Sequence, residues 1–218
     1  MLAAMSDSPA SLAPPKRPRG RPRKTPDERD DGNRRQALIM AAAALFRRQG
    51  FAATSTRDIA QSVGMHSGSP FYHFKSKDEL LYAVMEAGMH SALARQAQAL
   101  AEAGPSSTPR AQLHALVRAH FETLLGPGND FVPVMLYEHR SLDAQQRQAL
   151  AQLQSRYEAV WTPVLEALHR QGQLGGTVKL ARLLLLGALN WSVQWFDSKK
   201  SATLEDLTVA CVDLFVKE

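Results

Sequence analysis

Apolar residues return every three or four positions along most of this chain. Leu38, Ala42, Leu45 and Phe46 share one helical face, with Arg34, Arg35, Arg47 and Arg48 mostly on the other. This stripe predicts a helix from residue 34 to a stop at Gly50, a residue suited to the backbone turn at a helix end. A short helix follows in "TSTRDIAQSVG". Ser55 is placed to cap it, Asp58 stands in its first turn, Ile59, Ala60 and Val63 form the buried stripe, and Gly64 ends it. After a tight turn comes "SGSPFYHFKSKDEL", residues 67–80. Phe71 and Phe74, three apart, are predicted to turn inward against Leu45, Phe46 and Ile59. Pro70 would cost roughly 3 kcal/mol in a helix interior but little at a first helical position, where its missing N–H is unpaired anyway. Ser69 is therefore the expected cap, Pro70 the expected helix start, and 66–68 a looser lead-in. Ser76 and Glu79 have the spacing of a capping box and open the next helix.

The helical period continues to the end of the chain, broken at 104–109, 126–130 and 172–177. It predicts helices at 76–103, 109–125, 131–140, 143–171, 178–197 and 203–217, the fourth kinked at Pro163. No strand alternation is present. The fold class is all-α: an N-terminal three-helix helix-turn-helix domain at 34–80 and a C-terminal helical bundle at 81–218.

Composition and charge add a third segment. Residues 1–33 are rich in Pro, Ser, Ala and charge without hydrophobic period, which predicts a disordered basic arm. Residues 1–79 carry 14 Lys and Arg against 8 Asp and Glu, whereas 80–218 carry 12 against 13. The excess positive charge therefore lies at one end, as in a polyanion-binding head on a neutral body. Inside the arm, "KRPRGRPRK" resembles an AT-hook. Arg19 and Arg21 flank Gly20, where no side chain obstructs entry to a narrow A/T minor groove; Arg17 and Arg23 add flanking charge, and Pro18 and Pro22 keep the backbone extended. No apolar run is long enough to span a membrane, no secretory signal is visible, and the single Cys211 cannot form an internal disulfide. These features together predict a cytoplasmic protein with no membrane partner.

Two short helices joined by a tight turn after a supporting helix make a helix-turn-helix, whose second helix enters the major groove. The stretch "ALFRRQGFAATSTRDIAQSVGMHSGSPFYHFKSKDELL" carries the order Gly50-Phe51, a Thr/Ser pair, Asp58-Ile59-Ala60, Gly64, aromatics ending in Phe74, then Ser76-Lys77 and Leu80. In that order the chain resembles the tetracycline-repressor-like (TetR) transcription regulators over roughly 34–94. The resemblance implies a bacterial homodimer, associated with the nucleoid when it holds an operator in double-stranded DNA. It also implies pairing through the last two helices and a small-molecule effector in the body. It places the helix-turn-helix at 57–76 and the recognition helix at 66–74. Thr54, Ser55, Thr56 and Arg57 would then meet the DNA backbone, Ser67, Ser69, Tyr72 and His73 would face the groove, and Lys75 and Lys77 would suit phosphates. The chain departs from the family at Phe71, where a phosphate-reaching tyrosine is usual, so Tyr72 is the candidate to supply that hydroxyl. It departs again at Pro70, where a larger apolar residue is usual.

In the body, the candidate pocket residues are Phe121, Tyr137, His139, Tyr157, Trp161, Asn190, Trp191, Gln194 and Trp195. Asn190 in an apolar helix needs a partner, and Trp191 and Trp195 are four apart. "GALNWSVQWF" and "LEDLTVACVDLF" more loosely resemble the branch of the family that senses acyl-CoA thioesters of fatty-acid or sterol breakdown. No catalytic set, metal-ligand pattern or cofactor loop is present, so neither an enzyme nor a bound metal or cofactor is expected. The leading expectation is a ligand-responsive DNA-binding regulator, a repressor released by an apolar effector. The alternatives are an architectural A/T-rich DNA-binding protein driven by the arm, and a regulator that senses a hydrophobic drug or aromatic compound.

Overall fold

A computed structural model describes residues 26–65, 70–126, 130–197, 199–200 and 202–217. Helix α1 (Pro26–Gln49) supports two short helices, α2 (Thr56–Ser62) and α3 (Pro70–His73). The long α4 (Lys77–Ala103) packs on α1 and runs on into the body. The body continues through α5 (Pro109–Leu125), α6 (Phe131–Glu138) and a 3-10 turn at His139–Ser141. Then come α7 (Ala144–Ala159), α8 (Trp161–Arg170), α9 (Val178–Trp191), a 3-10 turn at Ser192–Gln194 and α10 (Leu204–Phe215). Among the described residues there is no strand, and no helix is long and apolar enough to cross a membrane.

The head closes where the apolar stripe requires. Leu38, Ala42, Leu45 and Phe46 of α1, Ile59 of α2 and Phe74 after α3 are all buried in one continuous core. Gly50 and Gly64 follow α1 and α2 with φ of +82° and +69°, a left-handed backbone that glycine adopts without steric cost. Ser55 caps α2: its hydroxyl accepts from the Asp58 N–H, and the Asp58 carboxylate accepts from the Ser55 N–H, a complete capping box. At α4 only half the expected box forms. Ser76 accepts from the Glu79 N–H, but the Glu79 carboxylate accepts from the Lys75 N–H at 2.6 Å instead of the N–H of Ser76. In the body α5 is central, packed by α4, α8, α9 and α10.

Three boundaries differ from the periodicity by more than two residues. The chain is already helical at Pro26, so the segment expected to be arm up to residue 33 is helix from 26 onward. Proline at the first position, followed by the acidic run "DERDD", is a helix start with no apolar stripe to announce it. The single kinked helix expected at 143–171 is two helices that meet at Val160. Pro163 cannot donate to Ala159 and its ring crowds that carbonyl, so the break falls before the proline, which then sits in the first turn of α8. Finally, α9 ends at Trp191 and tightens into the 3-10 turn, which takes Trp195 off the helix it was expected to share with Trp191. Pro70 is the first residue of α3 as described, while Ser69 and residues 66–68 lie outside the described residues.

Candidate functional site

The candidate nucleic-acid face comprises α2, α3 and the start of α4. Tyr72 is 81% exposed on α3, its ring edge-on to His73 at 5.2 Å between centroids. Lys75, just after α3, and Arg57 of α2 are also exposed, and Thr56 is half-buried at the start of α2. Ser55 is exposed, but its hydroxyl is engaged with Asp58, donating to the carboxylate at 2.6 Å. Those two hydrogen bonds from Ser55 hold the exposed Asp58 carboxyl below its ordinary range.

Two expected DNA contacts have other partners. Thr54 is only 1% exposed: its hydroxyl donates to the Gly50 carbonyl at 2.8 Å and accepts from the Gln49 amide at 3.2 Å, closing the turn between α1 and α2. Lys77 turns back into the head. Its ammonium donates to the carbonyls of Phe51 and Thr54 at 2.8 and 2.9 Å and lies 4.2 Å from the Phe51 ring centre. A lysine at a helix start is not repelled when two carbonyls of a neighbouring turn point at it. Ser67 and Ser69, and the arm residues Arg17, Arg19, Gly20, Arg21 and Arg23, lie outside the described residues.

The body holds a cavity of about 590 Å³ between α4, α5, α6, α7 and α9. Met89, Ala92, Leu124, Met135, Leu150 and Leu186 give it an apolar wall, and Arg147 brings an exposed cation to it. Of the expected pocket residues, Tyr157 and Asn190 line it. Phe121 and Trp161 are buried in the core behind it, because α5 and α8 turn them into the bundle. Gln194 lies on a separate groove between head and body, and Trp191 and Trp195 are 65% and 57% exposed. The 3-10 turn is what carries Gln194 and Trp195 away from the cavity. The side chains of Tyr137 and His139 lie outside the described residues.

His120 was not among the expected residues, yet it organises the cavity's polar side. Its Nδ1 lies 2.8 Å from the Tyr157 hydroxyl and its Nε2 3.2 Å from Asn190 Oδ1, the partner that Asn190 required. Trp161 packs edge-on to its ring at 5.9 Å. Burial pushes the imidazole down to about 4 and pushes the Tyr157 phenol up, so both are neutral near pH 7. One signal was available in the sequence: His120 stands in the apolar stripe Leu113, Leu116, Val117, Leu124 of α5.

Helix α6 joins the two sites. Met135 and Leu136 line the cavity, while Glu138, its last residue, accepts the Phe51 N–H of the head at 3.1 Å. Asp130, just before α6, pairs with Arg47 of α1 at 2.9 Å. Phe131 sits so close to Gly88 of α4 that a Cβ added there would lie 2.6 Å from the Phe131 Cβ.

A family model described as bacterial regulatory proteins, tetR family, matches residues 38–84. A second, described as tetracyclin repressor-like, C-terminal domain, matches residues 106–218. The HTH-type transcriptional repressor KstR2 of Rhodococcus jostii (strain RHA1) is 30% identical over 188 residues, 83% of this chain and 90% of that protein. The fatty acid metabolism regulator protein of Bacillus subtilis (strain 168) is 23% identical over 182 residues, 82% and 92% of the two chains. Among solved structures, AibR in complex with isovaleryl coenzyme A and operator DNA matches with a TM-score of 0.74 at 23% identity, over 84% of this chain and 97% of AibR, a likeness of fold.

Proposed function

This chain belongs to the TetR family of bacterial regulatory proteins, and on that premise we propose a transcriptional repressor that holds operator DNA until an apolar effector fills the body cavity. Tyr72, His73, Lys75, Arg57 and Thr56 form the described part of its DNA face, with Tyr72 standing in for the hydroxyl that Phe71 lacks. The head acts as one of a pair. Leu180, Leu183, Leu184 and Trp191 of α9 and Val209 and Leu214 of α10 are exposed apolar residues, and we assign this surface to a second copy of the chain. The two recognition helices then meet successive major grooves, about 34–36 Å apart.

The effector we propose is an acyl-CoA thioester of fatty-acid or sterol breakdown. The cavity volume and apolar wall suit an acyl chain, Arg147 suits a phosphate, and the relative from Bacillus subtilis is named as a regulator of fatty acid metabolism.

The observation that carries the reading is the double attachment of α6, to the cavity through Met135 and Leu136 and to the head through Glu138 and the neighbouring Asp130. A ligand acts only through different affinities for two states. Here a ligand that moves Met135 and Leu136 strains the Glu138–Phe51 hydrogen bond, so it favours the arrangement in which head and body are set differently. Footprinting with a panel of acyl-CoAs, fatty acids and aromatic drugs tests both parts. We expect a protected palindrome that acyl-CoAs release. No protected palindrome sinks the repressor, and a palindrome untouched by every acyl-CoA sinks the effector class.

A further inference from the structure

Tyr157, His120 and Asn190 come from α7, α5 and α9 and meet on the wall of one cavity. A neutral imidazole has one N–H and one lone pair, so the three groups form a directed relay with two possible senses. In the first, the Tyr157 O–H donates to His120 Nδ1 and His120 Nε2–H donates to Asn190 Oδ1, which leaves the Asn190 amide N–H groups over. In the second, with the amide turned over, Asn190 N–H donates to Nε2 and Nδ1–H donates to the Tyr157 oxygen, which leaves the Tyr157 O–H over. Either sense ends in an uncharged donor, and neither ends in a cation.

The other polar groups on the cavity do not change that outcome. The Thr123 hydroxyl donates to the Ala119 carbonyl at 2.7 Å. Glu158, beside Tyr157 in the chain, pairs with Arg182 at 3.4 Å and accepts from Gln154 at 2.9 Å. Arg147 lies ten residues from Tyr157 on α7, about 15 Å along the helix axis. A ligand carboxylate at the relay would lose its water and meet only uncharged donors there. An uncharged carbonyl oxygen there would accept the spare donor, and a phosphate of the same ligand could lie towards Arg147.

We propose that the Tyr157–His120–Asn190 relay is the specificity element of the cavity: it reads the thioester carbonyl of an acyl-CoA and turns away the corresponding free acid. This rests on the acyl-CoA reading of the cavity. The test is calorimetric titration of the full chain with three matched probes: dodecanoyl-CoA, the thioether S-dodecyl-CoA, whose carbonyl is replaced by a methylene, and dodecanoate. The thioester is expected to bind about tenfold tighter than the thioether, the size of one retained hydrogen bond, and dodecanoate far more weakly than either. In Asn190→Ala and Tyr157→Phe the thioester-to-thioether ratio is expected to fall towards one while thioether affinity holds, which a purely structural role for the relay does not produce. Equal affinity of the unmutated protein for thioester and thioether overturns the relay and leaves the acyl-CoA reading standing. So does a ratio that survives both substitutions. Dodecanoate that binds as tightly as the thioester overturns the rejection of the free acid. If neither CoA compound binds, the acyl-CoA reading falls and takes the relay with it.

Discussion

Tyr72 and Lys77 stand five residues apart in the segment proposed to meet DNA, yet their surroundings are opposite: Tyr72 is exposed and Lys77 is bonded into the head. Tyr72 touches little of its own protein, so Tyr72→Ala should leave the melting temperature unchanged and weaken operator binding by about 1–3 kcal/mol, measured by fluorescence anisotropy. Lys77 holds two carbonyls of the head, so Lys77→Met should lower stability by about 1–3 kcal/mol in a denaturant titration, while Lys75→Met should not. His120 supplies a pH dependence. Its folded pKa, about 4, lies below its ordinary 6.5. Its contribution is therefore whole above pH 6.5 and is lost as the pH falls towards 4, because the unfolded chain takes up a proton that the folded one refuses. The loss amounts to about 3 kcal/mol over that window. Urea midpoints should fall more steeply between pH 6.5 and 4.5 for the unmutated protein than for His120→Gln.

Most helices were readable because their ends are written in local chemistry. The caps Ser55, Ser76 and Thr108 and the stops Gly50 and Gly104 bound α1, α2, α4 and α5 within a residue or two of sequence periodicity, apart from the start of α1. The unread parts depend on partners far along the chain. Nothing near Asn190 says that His120, seventy residues away, will meet it, or that Lys77 will find the carbonyls of Phe51 and Thr54. Charge and hydroxyls near a recognition helix suggest DNA contact until the fold shows which of them close its own turns. At this scale α6 is the informative element. Gly88→Ala must push Phe131 away, so overpacking should destabilise the protein by about 1–3 kcal/mol in thermal melts. If α6 carries the coupling, the same substitution should also change how strongly the effector loosens operator binding.

For the whole molecule, the exposed leucines of α9 set the assembly. Leu184→Glu should yield a monomer by light scattering, with helical circular dichroism retained and operator affinity largely lost. The basic segment ahead of α1 is expected to act on a different term. Removing residues 1–25 should leave the footprint in place and make the salt dependence of binding shallower, since arginines that release counterions have gone. The three tryptophans also divide the molecule by environment. Trp161 is sealed against His120, whereas Trp191 lies open on α9. Indole emission moves to shorter wavelength as water leaves, so association of two copies should show as a blue shift of Trp191. Ligand entry beside His120 should instead appear in the already blue emission of Trp161. The chain thus carries separate optical reporters for pairing and for effector, and neither requires a label.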